Sequence, residues 1–315
     1  MIEVRNLSKC FGQKVAVDHI SFSVEKGEVL GFLGPNAAGK STTMRMITGF
    51  LTPTSGTAVI GGEDIVNSSL AARKKIGYLP ENAPAYSEMT VIGFLNFIAE
   101  IRGFSGRKKT QRMEEILEKC FLSDVRFQTI STLSKGFKQR VCFAQSIIHD
   151  PEYLIMDEPT DGLDPNQKQE VRAMIREMAK QKTIILSTHI LEEVDAVCTR
   201  TIIISDGRIV ADDTPEGLKA RSPVHGAVCF TLQNTPSNEL VQDLERISDV
   251  KAVETLAEGV DNKVVVRIYP AEPLTPPVDR VTQYLLENNV AIQSFFVEKG
   301  RLDDVFHMIT TSESE

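Results

Sequence analysis

The residues able to do chemistry fall in a few short clusters. Gly34-Pro-Asn-Ala-Ala-Gly-Lys-Ser41 has the spacing G-x-x-x-x-G-K-S of a phosphate-binding loop. Glycines let such a loop curl so that successive N–H groups point inward, and the helix behind it adds its positive N-terminal end. Lys40 can reach the outer phosphates of a nucleoside triphosphate, and the Ser41 hydroxyl can ligate Mg²⁺. Asp157 and Glu158 close an apolar run, Tyr153 to Met156. At a strand end one carboxylate can hold Mg²⁺ while the next orients an attacking water; a positioned base contributes about 10²–10⁴ in rate. His189 ends a neighbouring apolar stretch, Thr183 to Leu186. An isolated strand-end histidine is more often a satisfied polar residue, but the strand order here favours a γ-phosphate contact. Phe11-Gly12 precedes the loop. It reads either as a platform for an adenine ring or as a core-edge phenylalanine in a hairpin.

The elements that must position these residues are legible around them. Ile2 to Leu7 and Val15 to Val24 alternate apolar and polar residues, as half-buried antiparallel strands do. Glu28 to Leu33 predicts a buried strand into the phosphate loop, and Ser41 to Thr48 a helix closed by Gly49. Strands are expected at Thr57–Ile60 and Lys75–Leu79, and helices at Thr90–Arg102 and Lys108–Phe121. Met113, Ile116, Leu117 and Cys120 form a one-face core stripe. Leu133 to Arg140 opens a helix reaching about Ile148, with Ser134 as its N-cap. A helix over about 166–181 and strands at Thr201–Ile204 and Arg208–Ala211 complete a first domain.

Composition shifts near Asp212-Asp-Thr-Pro215, and a short helix, Glu216–Ala220, leads to Arg221-Ser-Pro223. The expected domains are 1–220, a linker 221–226, an accessory domain 227–310 and a polar, disordered tail 311–315. Beyond the linker the order reads βαββαβ, that of a ferredoxin-like fold.

The 315 residues carry a net charge of −8 with 42% hydrophobic residues, which is a globular chain and not a disordered one. An acidic chain without a long basic block argues against a nucleic-acid partner. No apolar run approaches the roughly 20 residues that span a bilayer. The N-terminus begins with a strand-like segment and shows no signal-peptide pattern. Five scattered cysteines, none in a C-x-x-C pair, suit buried thiols in a reducing cytosol.

Taken in order, these motifs resemble those of the ATP-binding subunit of an ATP-binding cassette (ABC) transporter, over about Met1 to Leu218. Gly34–Ser41 matches the Walker A loop, and Leu133-Ser-Lys-Gly-Phe-Lys-Gln-Arg140 the family's signature. Tyr153–Glu158 matches Walker B, Asp161-Gly-Leu-Asp164 the D-loop, and His189 the switch histidine. The resemblance implies an α/β P-loop cassette: a mixed sheet core with an antiparallel β subdomain and a helical subdomain. It implies ATP and Mg²⁺ as cofactors, with Glu158 and His189 catalytic. Phe11, Gly34, Pro35, Asn36, Ala37, Ala38, Gly39, Lys40, Ser41, Thr42 and Asp164 would bind nucleotide, and Ser41, Glu81 and Asp157 the metal. Ser134 and Gly136 would bind the γ-phosphate held by a second cassette, in a homodimer or with a paralogue. A transmembrane permease subunit is the implied partner, and the cytoplasmic membrane face the implied location.

Ile76–Glu81 and Leu302-Asp-Asp-Val-Phe306 resemble elements of the exporter class that carries its cassette as a separate chain with a C-terminal extension; drug, polysaccharide, sodium and gliding-motility exporters belong there. The alternative is an ABC ATPase acting on DNA or ribosomes. Three departures stand out: Ala37 where the family has Gly, Glu81 where it has Gln, and Lys135 with Phe137 in the signature. If position 37 needs positive φ, Ala there costs about 1–2 kcal/mol. The permease is expected to dock near Glu81 to Ile98, on Ala83, Pro84, Tyr86 and Met89.

Overall fold

The structure, a computed structural model, describes residues 1–81, 85–257, 263–272 and 275–311. It consists of two compact units, Met1–Asp213 and Thr214–Glu315.

The first unit runs β1 (Ile2–Phe11), β2 (Lys14–Val24), β3 (Val29–Leu33), α1 (Lys40–Ile47), β4 (Ser55–Ile60), β5 (Glu63–Asp64), α2 (Ser69–Lys75) and β6 (Ile76–Leu79). It continues through α3 (Val91–Ile101), α4 (Gly106–Lys119), α5 (Lys135–Ile147), β7 (Tyr153–Asp157), α6 (Pro165–Ala179), β8 (Thr183–Thr188), α7 (Leu191–Val197), β9 (Arg200–Ser205) and β10 (Arg208–Asp213). Two sheets organise it. One is antiparallel, ordered β2-β1-β4-β5; the other is ordered β10-β9-β3-β8-β7-β6, parallel except for β10 at its edge.

Every residue of β3, β7 and β8 is buried, as expected for parallel strands covered on both faces. Alternation along these strands feeds two cores. Leu30, Phe32, Ile155 and Ile185 pack with α1 and the antiparallel sheet. Val29, Leu154, Met156, Ile184 and Leu186 pack with the helices α3 to α6. The stripe Met113, Ile116, Leu117 and Cys120 lies in the second core. The register aligns the strand ends, Leu33 beside Thr188 and Asp157 beside Ser187, so the phosphate loop, the acidic pair and His189 leave the sheet at one edge. Ligands of open parallel sheets bind at such carboxyl ends.

Helices α2 and α7 were not anticipated. Helix α2 buries only Ala72, so its sequence carries no amphipathic stripe. The buried face of α7 is Glu193, Val194 and Val197, and a carboxylate there masks the apolar pattern.

The second unit contains α8 (Pro215–Lys219), β11 (Val228–Leu232), α9 (Asn238–Glu245), β12 (Val250–Ala257), β13 (Val264–Pro270), α10 (Val278–Glu287), β14 (Ser294–Val297) and α11 (Leu302–Thr311). From β11 to β14 the order is the anticipated βαββαβ, folded as an antiparallel sheet β12-β13-β11-β14 over a core that includes Phe230, Leu244, Ile268 and Val281.

The division differs from the expected one at residue 220. Helix α8 packs on α11 of its own unit, with Leu218, Leu302 and Val305 buried. The expected linker 221–226 is tied down there as well: Ser222 Oγ donates to Asp304 at 2.8 Å, and Gly226 N–H donates to Glu298 O at 2.9 Å. Helix α11 also takes in Thr311, and the rest of the expected tail lies outside the described residues.

Candidate nucleotide site

A cleft of about 590 Å³ opens over the strand ends, and Phe11, Lys40, Ser41, Glu81, Glu158 and His189 all line it. The phosphate loop forms its floor, for reasons visible residue by residue. Gly39 caps α1 at φ 109°, and a Cβ there would stand 2.6 Å from the Ala16 carbonyl. A Cβ on Gly34 would come within 2.5 Å of Ile204 O. Both positions therefore accept only glycine. Ala37 has φ 66°, so the departure at this position stores strain of about 1–2 kcal/mol in the loop.

Lys40 is 6% exposed. Its ammonium donates to Gly34 O at 2.8 Å and Pro35 O at 3.1 Å, and lies 3.7 Å from Glu158 Oε1. Burial pushes its pKa down, opposed by the charges of Glu158 and Asp157. The neighbouring Ser41 Oγ donates to Asp157 Oδ1 at 3.1 Å. Asp157 is fully buried, and its second oxygen, Oδ2, has no hydrogen-bond partner. A buried carboxylate oxygen left unpaired beside a serine hydroxyl suits a hard cation.

Glu158 is 8% exposed and sits on a left-handed backbone at φ 50°. Its N–H is held by Ser187 O at 3.1 Å and Ser187 Oγ at 3.2 Å. Its Oε2 meets His189 Nδ1 at 2.9 Å. The Ser187 hydroxyl in turn donates to Asp157 Oδ1. Asn36, Ala37, Gly39 and Thr42 also line the cleft, whereas Ala38 is buried beneath it. Phe11 is half exposed at the end of β1, with Lys9 Nζ 5.3 Å from its ring centre. It stands at the end of a hairpin strand, outside the hydrophobic cores, and borders the cleft.

Asp164 is not among the lining residues. Its carboxylate accepts from Gln167 N at 2.9 Å in a capping box that starts α6, while Asp161, three residues earlier, borders the cleft. Ser134 and Gly136 are likewise not among the residues that line the cleft of their own chain. Ser134 caps α5 by accepting from Phe137 N at 3.3 Å. A Cβ on Gly136 would meet the Gln167 side chain at 2.4 Å, so glycine there lets α5 approach α6 closely.

Sequence reasoning missed Lys14, Ala16 and Asp161 at the cleft and Ser187 beneath the acidic pair. Ser187 reaches the acidic pair through the register of β7 and β8, which sets it opposite Asp157, a relation that local spacing does not carry.

The family profile described as ABC transporter matches residues 17–161, which contain the phosphate loop, Ser134 and the acidic pair. The chain is 39% identical over 223 residues to the probable multidrug ABC transporter ATP-binding protein YbhF of Escherichia coli, covering 70% of this chain and 38% of that protein. The matched part of this chain thus spans well under half the length of that relative. It is 30% identical over 308 residues to the bacitracin transport ATP-binding protein BcrA of Bacillus licheniformis, covering 97% of this chain and 96% of the other. A solved structure described as an ATP-binding subunit of an ABC transporter superposes with a TM-score of 0.64 at 30% identity, covering 70% of this chain and 92% of that one.

Proposed function

The chain belongs to the ABC transporter family as an ATP-binding protein, and from that premise we propose that its ATP hydrolysis powers export of a substrate through a separate transmembrane subunit. The observation that carries the catalytic reading is the meeting of Lys40, Glu158 and His189 around one cleft, within 3.7 Å and 2.9 Å of Glu158. The relatives that match are transport proteins by name, which favours transport over action on DNA or ribosomes.

In this reading, ATP enters with its adenine against Phe11 and its phosphates in the loop. Lys40 exchanges the carbonyls of Gly34 and Pro35 for phosphate oxygens. Phosphoryl transfer to water is mostly a matter of position and charge. Glu158 orients the attacking water and accepts its proton, and His189 holds the Glu158 carboxylate and the outgoing phosphate. Ser41, Asp157 through its unpaired oxygen, and Glu81 are the residues to hold Mg²⁺. Among the described residues no group of three His, Cys, Asp or Glu side chains could hold a metal; phosphate oxygens would be the further ligands. Mg²⁺ would neutralise charge developing on the phosphates.

Two cassettes would close head to tail, each offering Ser134 and Gly136 at the start of α5 to the γ-phosphate in the other. A helix N-terminus is suited to an anion, and charge-assisted hydrogen bonds of about 1.5–3 kcal/mol each would hold the pair until hydrolysis. Among the described residues no helix is long and apolar enough to cross a membrane. The transport relatives point instead to the proposed place, the cytoplasmic membrane face, docked on a permease. Tyr86 is exposed, with edge contacts to Phe94 and Phe97. A groove elsewhere on the unit is lined by Leu70, Lys74, Ile98, Ile101, Arg102 and Phe104. An exposed apolar patch of this kind suits a partner surface. Of the residues expected to dock, Ala83 and Pro84 lie outside the described residues, and Met89 packs against the core.

Two experiments test this reading. Lys40→Ala should abolish ATP binding in calorimetry while the circular dichroism spectrum stays native; retained affinity would remove the phosphate role of Lys40. A cysteine placed at Ser87 should cross-link to the membrane subunit in the assembled transporter; an assembled complex with no cross-link refutes docking there.

A further inference from the structure

His189 has a second layer behind it. It lies between Thr188, which ends β8, and Ile190, which precedes α7. The Thr188 hydroxyl accepts from Ile190 N–H at 3.0 Å, spanning His189. The same hydroxyl donates to Glu193 Oε2 at 2.8 Å. Glu193 N–H closes the turn on Ile190 O at 3.1 Å. The histidine backbone is thus gripped from both sides, and one carboxylate orients the hydroxyl that does it.

That carboxylate is an unusual occupant of its position. Glu193 is 2% exposed on the inward face of α7, beside the apolar Val194 and Val197. Its Oε1 is buried without a hydrogen-bond partner. Arg172 and Lys168 on α6 supply the opposing charge, while Glu158 adds a like one. Burying a carboxylate is costly unless it is fully paired. An apolar residue would fill the same space on a short helix, so packing does not account for the choice. The hydrogen bond to Thr188 does.

We propose that Glu193 is a positioning residue for ATP hydrolysis: through the Thr188 hydroxyl it fixes the turn that carries His189, and so holds the imidazole on Glu158. The inference rests on the ATPase reading above. A small displacement of a reacting group can cost up to about 10²-fold in rate, so the effect belongs in turnover and not in affinity.

The test compares variants of the full chain for turnover, KM for ATP, and ATP affinity by calorimetry. Glu193→Ala and Thr188→Val should each lower kcat by about tenfold or more, with KM and affinity within about twofold of wild type. Thr188→Ser, which keeps the hydroxyl, and Glu193→Gln, which keeps an acceptor, should recover most of the rate. In a His189→Ala background, Glu193→Ala should cost less than about twofold further, because residues acting through one another are non-additive. If Glu193→Ala fails to fold, the Thr188→Val and Thr188→Ser pair decides alone. The inference is overturned if both hydroxyl variants hydrolyse alike, or if the losses at 189 and 193 multiply. A His189→Ala protein with wild-type turnover overturns it too, and shows that the histidine reading itself has failed.

Discussion

His189 Nδ1 lies 2.9 Å from Glu158 Oε2, while the Glu158 backbone is left-handed at φ 50°. A non-glycine residue in that region costs on the order of 1–3 kcal/mol, and such outliers gather at functional sites. Here the strain is offset by Ser187, which takes the Glu158 N–H on both its carbonyl and its hydroxyl. The acidic pair is therefore aimed before nucleotide arrives, and aimed by the next strand rather than by its own. Two other residues of the first unit, one in the phosphate loop and one at the far end of the parallel sheet, lend themselves to direct tests of strain and charge.

Ala37 is the first. Its φ of 66° suits glycine. Ala37→Gly should relieve about 1–2 kcal/mol of strain and return about 0.4–1 kcal/mol through the freer unfolded chain. The net expectation is a melting temperature higher by about 1–3 °C, read by thermal unfolding without nucleotide. An unchanged or lower value means the loop carries no strain at this residue.

His149 is the second. Its Nε2–H donates to Ile76 O at 2.9 Å, and burial, with Arg102 nearby, lowers its pKa from 6.5 to about 4. The folded state therefore prefers the neutral ring. Its contribution is fully present above pH 6.5 and declines as pH falls toward 4, because the unfolded chain takes up the proton first. Wild type should lose on the order of 1 kcal/mol more than His149→Gln between pH 7 and pH 5, measured by urea unfolding. Parallel pH profiles for the two proteins would remove this histidine from the account.

The domain division gives a third prediction. A fragment 214–311 should resist urea better than one of 227–311, by about 2 kcal/mol, because the shorter piece loses Leu218 from its contact with α11. Residues 1–213 alone should bind ATP as the full chain does. Equal stability of the two C-terminal fragments would return the boundary to residue 220.

The sequence made much of this legible because strand ends carry their chemistry in order. The phosphate loop, the acidic pair, His189 and the βαββαβ order of the second unit could all be read from local spacing. The Ser134 cap on α5 could be read the same way. What escaped was set by neighbours distant in sequence. Ser187 matters through its register with Asp157, and Asp164 is taken up by Gln167 as a cap. Helix α7 was hidden because its buried face carries Glu193, and α8 was assigned to the wrong unit because its partner, α11, lies 83 residues further along, from Lys219 to Leu302. The backbone cost at Ala37 was foreseeable only as a condition, since φ is not written in the residue type.

If Glu158 is the base of an ATP-driven cycle, Glu158→Gln should stop that cycle with ATP still bound. Lys40, Ser41 and Asp157 are untouched, so Mg-ATP should still bind. The amide cannot accept the proton of the attacking water, so the γ-phosphate should stay in place between two cassettes. The measurement is phosphate release together with size-exclusion chromatography, with and without Mg-ATP. With Glu158 as the base, turnover should fall by at least about 10²-fold and a dimer should form only with Mg-ATP. Phosphate release at the wild-type rate would contradict it.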